Sequence, residues 1–337
     1  MKKRNDIRQL RELCFDAAVF PSEILECIEE HNLWNLWVPK SYGGLEVSLS
    51  DGLQKLRSLA YIDGSLGWTV TLCSGANYFI GNLHREAAQG LFLDSKAPVL
   101  GRSGGVFGTA EKLGGRYRIS GNWRYATGAP YLSHFTLNAK IMVNGKEVKE
   151  RDGSPKVRSF ILPKEKVHII PDWNTMGLIA TATHSFEVNA VAIDENYSFR
   201  YNRAYLPQPI FKIPFSLFAD LTLWVNYLGM AEHFLEEART VLPEEKLQGL
   251  TGVVSMTNRE IFGFSEEIES TVQQQNDFTE EYKQKVHSKA ADSVRGISRS
   301  LIELYPNLGI KASRKEHQLN QVFRDYFTAT QHHIFLT

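Results

Sequence analysis

Residues 324–335, RDYFTATQHHIF, bring an arginine and two adjacent histidines onto a segment whose apolar residues recur at helical spacing. At about 3.6 residues per turn, Arg324, Thr328 and His332 fall four apart on one polar face of the predicted helix. Such a face is either solvated or part of a cofactor pocket. In the second case Arg324 binds the cofactor, and the imidazoles of His332 and His333 are the candidate catalytic groups.

A second group of chemistry-bearing residues lies in SGNWRYATGA, residues 120–129. Residues two apart on a strand share a side, which predicts that Trp123, Tyr125 and Thr127 face the same way, with Gly128 next along the chain. Two aromatic rings that end in a hydroxyl suit a planar heteroaromatic cofactor, which needs a stacking surface and a hydrogen-bond partner at its polar edge. The alternative is an ordinary strand whose aromatic residues pack in the core.

Two further hydroxyls, those of Thr181 and Thr183, stand in a short connection ahead of a predicted strand, where threonine also caps turns. The sequence has no GxGxxG after a strand, and no GxxxxGK[ST], HExxH or GxSxG. Neighbouring residues of a helix point about 100° apart, so His332 and His333 are poor joint metal ligands. The sequence therefore predicts no metal site.

Composition restricts the class of protein. The chain has 337 residues, 43% of them hydrophobic, which is enough for about two or three packed domains. Lys+Arg and Asp+Glu both number 38, so the formal net charge is zero and no basic field is available to hold nucleic acid or an anionic membrane. Zero net charge also favours self-association, in line with a homo-oligomer.

The cysteines Cys14, Cys27 and Cys73 form no CxxC pair, which predicts reduced thiols and a cytoplasmic protein rather than a disulfide frame. Residues 1–15 carry no apolar run of signal-peptide length. No apolar stretch reaches the roughly 18 residues that a membrane-spanning helix needs. We therefore expect a soluble intracellular protein.

The periodicity of the apolar residues divides the chain into three zones. Residues 1–97 read as helices, with cap-type residues at 63–65 ahead of an almost wholly apolar helix. Residues 98–205 alternate polar and apolar positions around the hairpin dipeptides Gly114-Gly115 and Asn144-Gly145, which predicts an antiparallel sheet domain. Residues 206–337 return to helical spacing. The predicted class is α+β, with a sheet domain between two helical domains.

Four segments, in chain order, resemble the acyl-CoA dehydrogenase superfamily. They are VPKSYGGL (38–45), similar to a VPxxYGGL loop; ISGNWRYATGA (119–129), similar to the strand with the flavin-contacting hydroxyl; MGLIATATHSFEVNAVAIDE (176–195), similar to GMRxTGSxxxxFxxVxVP; and YLGMAEHFLEEA (227–238), similar to the first bundle helix. The resemblance implies an N-terminal α-helical domain, a central antiparallel β-barrel or sandwich and a C-terminal four-helix bundle. It also implies a flavin cofactor, FMN or FAD, with Thr127 as the hydroxyl that contacts it.

The residues after Arg324 discriminate within the superfamily. Acyl-CoA dehydrogenases typically read RDxRxxxIYEGT, with the Glu as base, and that position falls at His333. QVFRDYFTATQH (321–332) instead resembles the flavin-dependent monooxygenases, such as the oxygenase component of p-hydroxyphenylacetate hydroxylase and dibenzothiophene monooxygenase. In those enzymes the equivalent of His332 faces the flavin ring, where a cationic or hydrogen-bonding imidazole stabilises negative charge on the reduced flavin and its oxygen adduct.

The resemblance implies a two-component monooxygenase. A separate reductase would supply reduced flavin, and O₂ would give one oxygen atom to a small organic substrate. The SLGW motif implies a substrate pocket with Trp68, Ala76, Asn77 and Tyr227, where the hydroxylases usually carry a histidine at the position of Ala76. A tetramer built on the bundle, as a dimer of dimers, is implied as well.

Two alternatives stay open at the level of sequence. One is a dehydrogenase or oxidase of the same fold, in which His332 or His333 replaces the missing Glu as base. The other is a non-catalytic descendant that binds a ligand or partner protein, because Ala76 departs from the hydroxylases. The ERxxFG run that helps dehydrogenases to hold the adenosine end of FAD is missing, which favours FMN.

Overall fold

The computed structural model describes residues 4–94 and 98–335. The first part of the chain is helical, and capping side chains set where two of its helices begin. The carboxylate of Asp63 accepts a hydrogen bond from the N–H of Leu66 at 2.9 Å, which confirms the predicted cap. Ser48 accepts one from the N–H of Asp51 in the same way. The helices are α1 (Arg4–Cys14), α2 (Ser22–Glu30), α3 (Leu49–Ile62), α4 (Gly64–Asn77) and α5 (Arg85–Phe92).

Helix α4 lies at the centre of the molecule. All of its residues except Leu72 and Gly75 are buried, as its apolar composition predicts. It packs against α3, against the sheet and against the C-terminal helices. Gly67 allows the closest of these approaches, because a Cβ at that position would lie 2.4 Å from Cα of Ala60 in α3. Side chains on α4 can therefore contact every other layer.

The second part forms one open, eight-stranded sheet. Its order is β6-β7-β2-β1-β3-β5-β8, with β4 paired to β3. The strands are β1 (Leu100–Leu113), β2 (Arg116–Ala126), β3 (His134–Val143), β4 (Lys146–Glu147), β5 (Val157–Pro163), β6 (His168–Ile170), β7 (His184–Asp194) and β8 (Ser198–Phe199).

Both predicted hairpins are confirmed, since Leu113 pairs with Arg116 and Val143 with Lys146. Two features differ from the expected antiparallel barrel. Strand β3 runs parallel to β1, because the connection 127–133 passes the start of β1 before β3 begins beside it. The sheet also stays open rather than closing into a barrel. Strand β6 was missed because three residues are too short to show alternation.

The third part is a four-helix bundle with α6 at its centre. Helix α6 packs against α3 and α4 as well as against α7, α8 and α10, and it is buried on almost every side. Gly229 permits the contact with α3, because a Cβ there would lie 2.5 Å from the carbonyl oxygen of Arg57. The helices are α6 (Phe215–Ala238), α7 (Glu244–Gln273), α8 (Glu280–Leu304), α9 (Ile310–Ser313) and α10 (Gln318–Ala329).

The elements change type between Phe92 and Leu100 and again between Phe199 and Phe215. The division into domains after residues 97 and 205 stays a prediction. Among the described residues, no helix has the length and hydropathy to cross a bilayer. Within 4–94 and 98–335, no three His, Cys, Asp or Glu side chains group closely enough to hold a metal ion.

Candidate active site

Three threonine hydroxyls form a chain of hydrogen bonds where β2 ends. Thr181 donates to the carbonyl oxygen of Leu178 at 2.7 Å, because a carbonyl can only accept and a hydroxyl has one proton. The 2.8 Å bond between Thr181 and Thr183 then requires Thr183 as donor, and the 3.1 Å bond between Thr183 and Thr127 requires Thr127 as donor. Thr127 Oγ1 therefore has its proton committed and only lone pairs left to offer.

The peptide of Leu178 anchors this chain. Its carbonyl accepts from Thr181 and from the indole Nε1–H of Trp173, at 3.0 Å, while its N–H donates to Oδ1 of Asp325. Leu178 has a φ of 52° and Ala182 a φ of 42°, a region that residues with a side chain rarely adopt. The tertiary hydrogen bonds hold this turn in its strained conformation.

Asp325 belongs to a buried polar network between α10 and the start of α4. Gln321 donates from Nε2 to Oδ2 of Asp63 at 2.8 Å and accepts from the N–H of Asp16 at the same distance. Burial raises the pKa of both carboxyls, that of Asp63 to about 6 and that of Asp325 to about 8, and the charge of Asp63 adds to the second shift. Both carboxyls are therefore easier to protonate than a free aspartate, and Asp325 is the easier of the two.

Arg324 fixes the docking of α10 on the same turn. Its Nε donates to Oδ1 of Asn320 at 2.8 Å and its Nη1 to the carbonyl oxygen of Met176 at 2.6 Å. A Cβ on Gly177 would lie 2.3 Å from the backbone carbonyl group of Arg324, so only glycine allows this approach. The structure thus uses Arg324 to hold the turn; a direct contact with a cofactor stays a prediction.

His332 does not lie on the polar stripe of a helix, because α10 ends at Ala329 and the chain turns there. Its ring packs edge-on against Trp68, with centroids 5.6 Å apart, and its Nδ1 lies 3.4 Å from the N–H of Ile334. That contact assigns the ring proton to Nε2. Burial first, then the charges of His333 and Arg102, lower the pKa of His332 to about 4. The shift favours the neutral imidazole, and therefore the hydrogen-bonding one of the two forms that the resemblance implies; the role of His332 stays a prediction.

The aromatic wall expected on β2 does not form. Trp123 is fully buried, stacks on Phe186 and donates from Nε1 to the carbonyl oxygen of Asn138 at 2.9 Å. Tyr125 is 63% exposed and has a φ of 68°. The register of β2 against β7 shifts between Trp123 and Ala126, and this bulge turns Tyr125 to the opposite side. Trp123 is a core residue, and Tyr125 alone offers a free ring.

Tyr125 stands in an open cleft of about 820 Å³ on the outer side of the sheet. Phe107, 51% exposed, supplies a second free aromatic surface there. Asp172 also lines the cleft, and its Oδ1 accepts a hydrogen bond from the N–H of Ser185 at 2.8 Å. The lining residues are Phe107, Asn122, Arg124, Tyr125, Ile170, Asp172 and Ser185.

Helix α4 connects this end of the sheet with His332. Gly128, with a φ of 77°, donates its N–H to the carbonyl oxygen of Thr181 at 2.8 Å. A Cβ on Gly128 would lie 3.1 Å from Sγ of Cys73 and 3.4 Å from a methyl group of Thr69. Trp68, the neighbour of Thr69, carries the contact with His332. Gly128, the neighbour of Thr127, and the imidazole of His332 thus lie against adjacent residues of one helix.

Comparisons with known proteins place this geometry in context. No family model matches the chain. Indole-3-acetate monooxygenase of Pseudomonas putida is 28% identical over 218 residues, which span 64% of this chain and about half, 54%, of that relative. The HsaA monooxygenase of Mycobacterium tuberculosis superposes with a TM-score of 0.88 at 17% identity, covering 98% of this chain and 92% of that one. XiaF from Streptomyces sp., in complex with FADH2 and glycerol, gives 0.86 at 18% identity, covering 98% and 89%.

The fold is that of the acyl-CoA dehydrogenase-like monooxygenases. The resemblance inferred from the sequence motifs is thereby confirmed. Within this monooxygenase fold, the position where dehydrogenases carry their glutamate base holds His333, which is exposed, while its neighbour His332 packs into the interior. Their rings lie 4.6 Å apart, centroid to centroid.

The residues expected to line a substrate pocket separate into two groups. Trp68 and Tyr227 pack edge to face at 6.1 Å, and the hydroxyl of Tyr227 donates to the carbonyl oxygen of Ala329, just before His332. Asn77 instead has a structural role. Its amide donates to Oδ1 of Asn35 and to the carbonyl oxygen of Pro98, and it accepts from the N–H of Leu100. The fourth residue of that set, Ala76, is fully buried and adds no polar group.

Sequence reasoning missed several polar residues of this monooxygenase fold. Asp63 was identified as a helix cap, but its pairing with Gln321 brings together residues 258 positions apart. Arg102 and Arg124 carried no motif. A signal was present in GRSGGVFG (101–108), where an arginine and a phenylalanine stand among glycines in a strand that otherwise alternates. Glycines in a strand mark positions where a ligand or another backbone comes close.

Proposed function

We propose that this protein is the oxygenase component of a two-component flavin-dependent monooxygenase that acts on a small aromatic substrate. A separate reductase would supply the reduced flavin. The bound reduced flavin would provide two electrons, so that one atom of O₂ enters the substrate and the other leaves as water.

The direction of the hydroxyl chain carries this proposal. Thr127 Oγ1 presents only lone pairs, because its proton is committed to Thr183. Reduced flavin has an N–H at its central ring, whereas oxidised flavin has an acceptor nitrogen there. An acceptor at Thr127 therefore suits the reduced form, which is the form an oxygenase component receives from its reductase.

The cleft supports the same assignment. The ring of Tyr125 is 63% exposed, because the bulge in β2, where Tyr125 has a φ of 68°, turns it to the outer side of the sheet. A planar isoalloxazine that stacks on Tyr125 would cover this surface. Tyr125 and Phe107 are the lining residues that we expect to hold it; the contact with Thr127, which is buried and outside this lining, is a separate part of the proposal.

The lowered pKa of His332 supports the oxygenase over a dehydrogenase in which His332 is the base. A base that removes a substrate proton works best when its pKa is close to the working pH. Burial lowers the pKa of His332 to about 4, which makes it a poor base but leaves a neutral Nε2–H donor on a ring that packs edge-on against Trp68. A neutral donor can stabilise negative charge that develops on reduced oxygen.

We further propose FMN as the flavin, a homotetramer as the assembly and the cytoplasm as the location. The missing ERxxFG run supports FMN, and the resemblance supports the tetramer. Cys14, Cys27 and Cys73 are free thiols, which is typical of a reducing compartment. The similarity to an indole-3-acetate monooxygenase suggests an aromatic acid as substrate.

The proposal is tested by anaerobic titration of the protein with reduced and with oxidised FMN, followed by oxygen-uptake measurements. We expect reduced FMN to bind about tenfold more tightly or better, which corresponds to about 1.4 kcal/mol. Oxidation of the bound reduced FMN by O₂ should be slower than that of free FMN. Equal affinity for both redox forms, or no binding of either, would contradict the proposal.

The two histidines provide a matched pair of variants. His332→Ala removes the buried donor beside Trp68, whereas His333→Ala removes an exposed ring next to it. We expect His332→Ala to divert oxygen consumption from product to hydrogen peroxide at least about tenfold more than His333→Ala. Equal diversion by the two variants would remove His332 from the proposed role.

A further inference from the structure

Arg102, on β1, stands in a cage of three aromatic rings. Its guanidinium carbon lies 4.8 Å from the ring centroid of Phe215, 5.5 Å from that of Tyr201 and 5.7 Å from that of Phe79. The rings also pack on one another, with centroids 4.9 to 5.4 Å apart. They come from three separate parts of the chain, so the fold assembles this cage around one cation.

The guanidinium of Arg102 makes no hydrogen bond and no ion pair with any residue in 4–94 or 98–335. Two other partly buried arginines have acidic partners, whereas Arg158 donates to the hydroxyls of Tyr117 and Ser198. Arg11 reaches Glu236 at 2.7 Å, and Arg57 donates from Nε to Glu232 at 2.8 Å. A half-buried charge without a counter-ion is costly, and ring faces offset only part of that cost. The nitrogens of this guanidinium are not among the buried unpaired atoms of the described chain, so they are open to solvent and to an anion from outside it.

The position of Arg102 ties this cage to the candidate active site. Leu100, two residues earlier on β1, is held by Asn77 at the end of α4, the helix that carries Trp68. The charge of Arg102 also contributes to the lowered pKa of His332. A Cβ on Gly104 would lie 3.3 Å from Nη2 of Arg102, so the strand provides space on the side that the guanidinium occupies.

We propose that Arg102 binds the carboxylate of an aromatic acid substrate whose ring lies towards His332. This inference rests on the proposed oxygenase function and specifies its substrate class. The ring faces of the cage cover the faces of the guanidinium and leave its N–H groups, which lie in its plane, for a bidentate carboxylate. The same aromatic side chains offer stacking area to the substrate ring.

Arg102 could replace a polar group that the hydroxylases have at the position of Ala76 and this chain lacks. The hydroxylases that this chain resembles usually carry a polar histidine at the position of Ala76, which here is fully buried and apolar. Arg102 lies two residues after Leu100 on β1, and the N–H of Leu100 donates to Oδ1 of Asn77, the residue after Ala76.

The test measures binding of two matched pairs of probes by calorimetry: indole-3-acetate against 3-methylindole, and 4-hydroxyphenylacetate against 4-methylphenol. The wild type should bind at least one acid more tightly than its neutral partner. Arg102→Met, which keeps the length of the apolar stem, should weaken that acid by about tenfold or more and leave the neutral partner within about twofold. Arg102→Lys should restore only part of the affinity, because it lacks the bidentate fork.

Three outcomes would overturn the inference. The first is that the wild type binds neither acid better than its neutral partner. The second is that Arg102→Met weakens the binding of acid and neutral probes equally, which would indicate a damaged pocket. The third is that Arg102→Met weakens the binding of FMN but not that of riboflavin, which would assign Arg102 to the phosphate of the cofactor. Arg314→Met, at an exposed arginine paired with Glu316, is the control and should change none of these values.

The same experiments separate this inference from the proposed function. Acid binding is measured without flavin, so discrimination that depends on Arg102 can be observed even if no flavin binds. Binding of reduced FMN together with indifference to the substrate carboxylate would leave the oxygenase function standing and remove the role of Arg102. Failure to bind flavin together with Arg102-dependent acid binding would do the reverse.

Discussion

Two regions of the molecule differ in how their polar and aromatic groups are paired. One is the dock, where α10 packs on the turn at 176–178, and the other is the cleft around Tyr125. In the dock, Arg324 and Asp325 bind backbone groups of Met176 and Leu178. In the cleft, the ring of Tyr125 is 63% exposed, and it faces solvent beside an open volume. The polar groups of the dock are paired within the chain, whereas the ring of Tyr125 in the cleft is left exposed.

Backbone strain sharpens this contrast. Leu178 and Tyr125 both have positive φ, at 52° and 68°. In the dock, the strain at Leu178 is offset by hydrogen bonds from Asp325, Thr181 and Trp173. At Tyr125 the positive φ belongs to the bulge in β2, where Ser103 Oγ donates to the carbonyl oxygen of Arg124, in the peptide before Tyr125, at 2.7 Å. The strained turn in the dock buries its groups, whereas the bulge leaves an aromatic ring exposed.

The largest expected effect comes from Gly177→Val, which would break the dock. The added side chain meets the backbone carbonyl group of Arg324 at 2.3 Å, so α10 and the turn have to separate. We expect a loss of about 3 kcal/mol in the free energy of unfolding, measured by urea denaturation. Gly249→Ala is the control, because nothing lies within 4 Å of its Cβ position on α7. That variant should gain about 0.5 to 1 kcal/mol, and a loss at Gly177 no larger than about 1 kcal/mol would contradict the prediction.

Asp325→Asn tests the protonation of the dock. Burial raises the pKa of Asp325 to about 8 in the folded protein, so the stability it provides is complete below its unfolded pKa and is lost as pH rises through about 8. We expect the stability of the wild type to fall between about pH 4 and 8, by at most about 1.4 kcal/mol per pH unit for each carboxyl involved.

The amide of Asp325→Asn keeps an acceptor for Leu178 but does not ionise, so its stability should fall less steeply with pH. Asp63, whose pKa is also raised, would retain part of the slope. Urea midpoints at about pH 5 and pH 8 measure the difference. Asp292→Asn, at an exposed residue paired with Arg295, should keep the slope of the wild type. An unchanged slope in Asp325→Asn would mean that Asp325 is ionised in the fold.

Tyr125→Ala tests the cleft. Removal of an exposed ring should change the free energy of unfolding by less than about 0.5 kcal/mol. Loss of the stacking surface should weaken reduced FMN by about tenfold, measured by anaerobic fluorescence titration. A large loss of stability with unchanged flavin affinity would reverse the comparison and make Tyr125 a structural residue.

The smallest expected effect is that of Thr181→Val. Thr181 belongs to the hydroxyl chain that runs from the carbonyl of Leu178, in the dock, to Thr127. Without the Thr181 hydroxyl, Thr183 can no longer donate to it, and Thr127 is free to act as a donor. The ratio of the affinities for reduced and oxidised FMN should then fall by about fivefold, or about 1 kcal/mol. Thr271→Val, where a hydroxyl bonds a helix carbonyl, is the control and should keep the ratio. A ratio unchanged in Thr181→Val would show that the hydroxyl chain does not set the preference.

Much of the fold could be predicted because its signals are local. The cap at Asp63 and the hairpins at Gly114-Gly115 and Asn144-Gly145 depend on residues within a few positions of each other. The buried α4 followed from its composition. The parallel pairing of β1 with β3 did not, because it depends on the path of residues 127–133 rather than on any strand pattern.

The candidate site was predicted less well, for two physical reasons. A single extra residue in β2 reverses which side Tyr125 faces, and a period of two cannot reveal where a bulge falls. The end of α10 at Ala329 has no glycine or proline signal, so the spacing of Arg324 and His332 suggested a helix that the chain does not continue. The cage around Arg102 unites residues more than 100 positions apart, which no local pattern encodes.

The thiol packed under Gly128 has a consequence for durability. Oxidants attack the thiolate rather than the thiol, and burial raises the pKa of Cys73 and of Cys14 so far that both stay protonated. Hydrogen peroxide that leaks from uncoupled turnover would therefore spare them. Met176, on the turn held by Arg324, and Met256, on α7, are 53% and 46% exposed, so peroxide would reach both sulfurs. Ageing of the working protein should appear at these two residues first, as methionine sulfoxide.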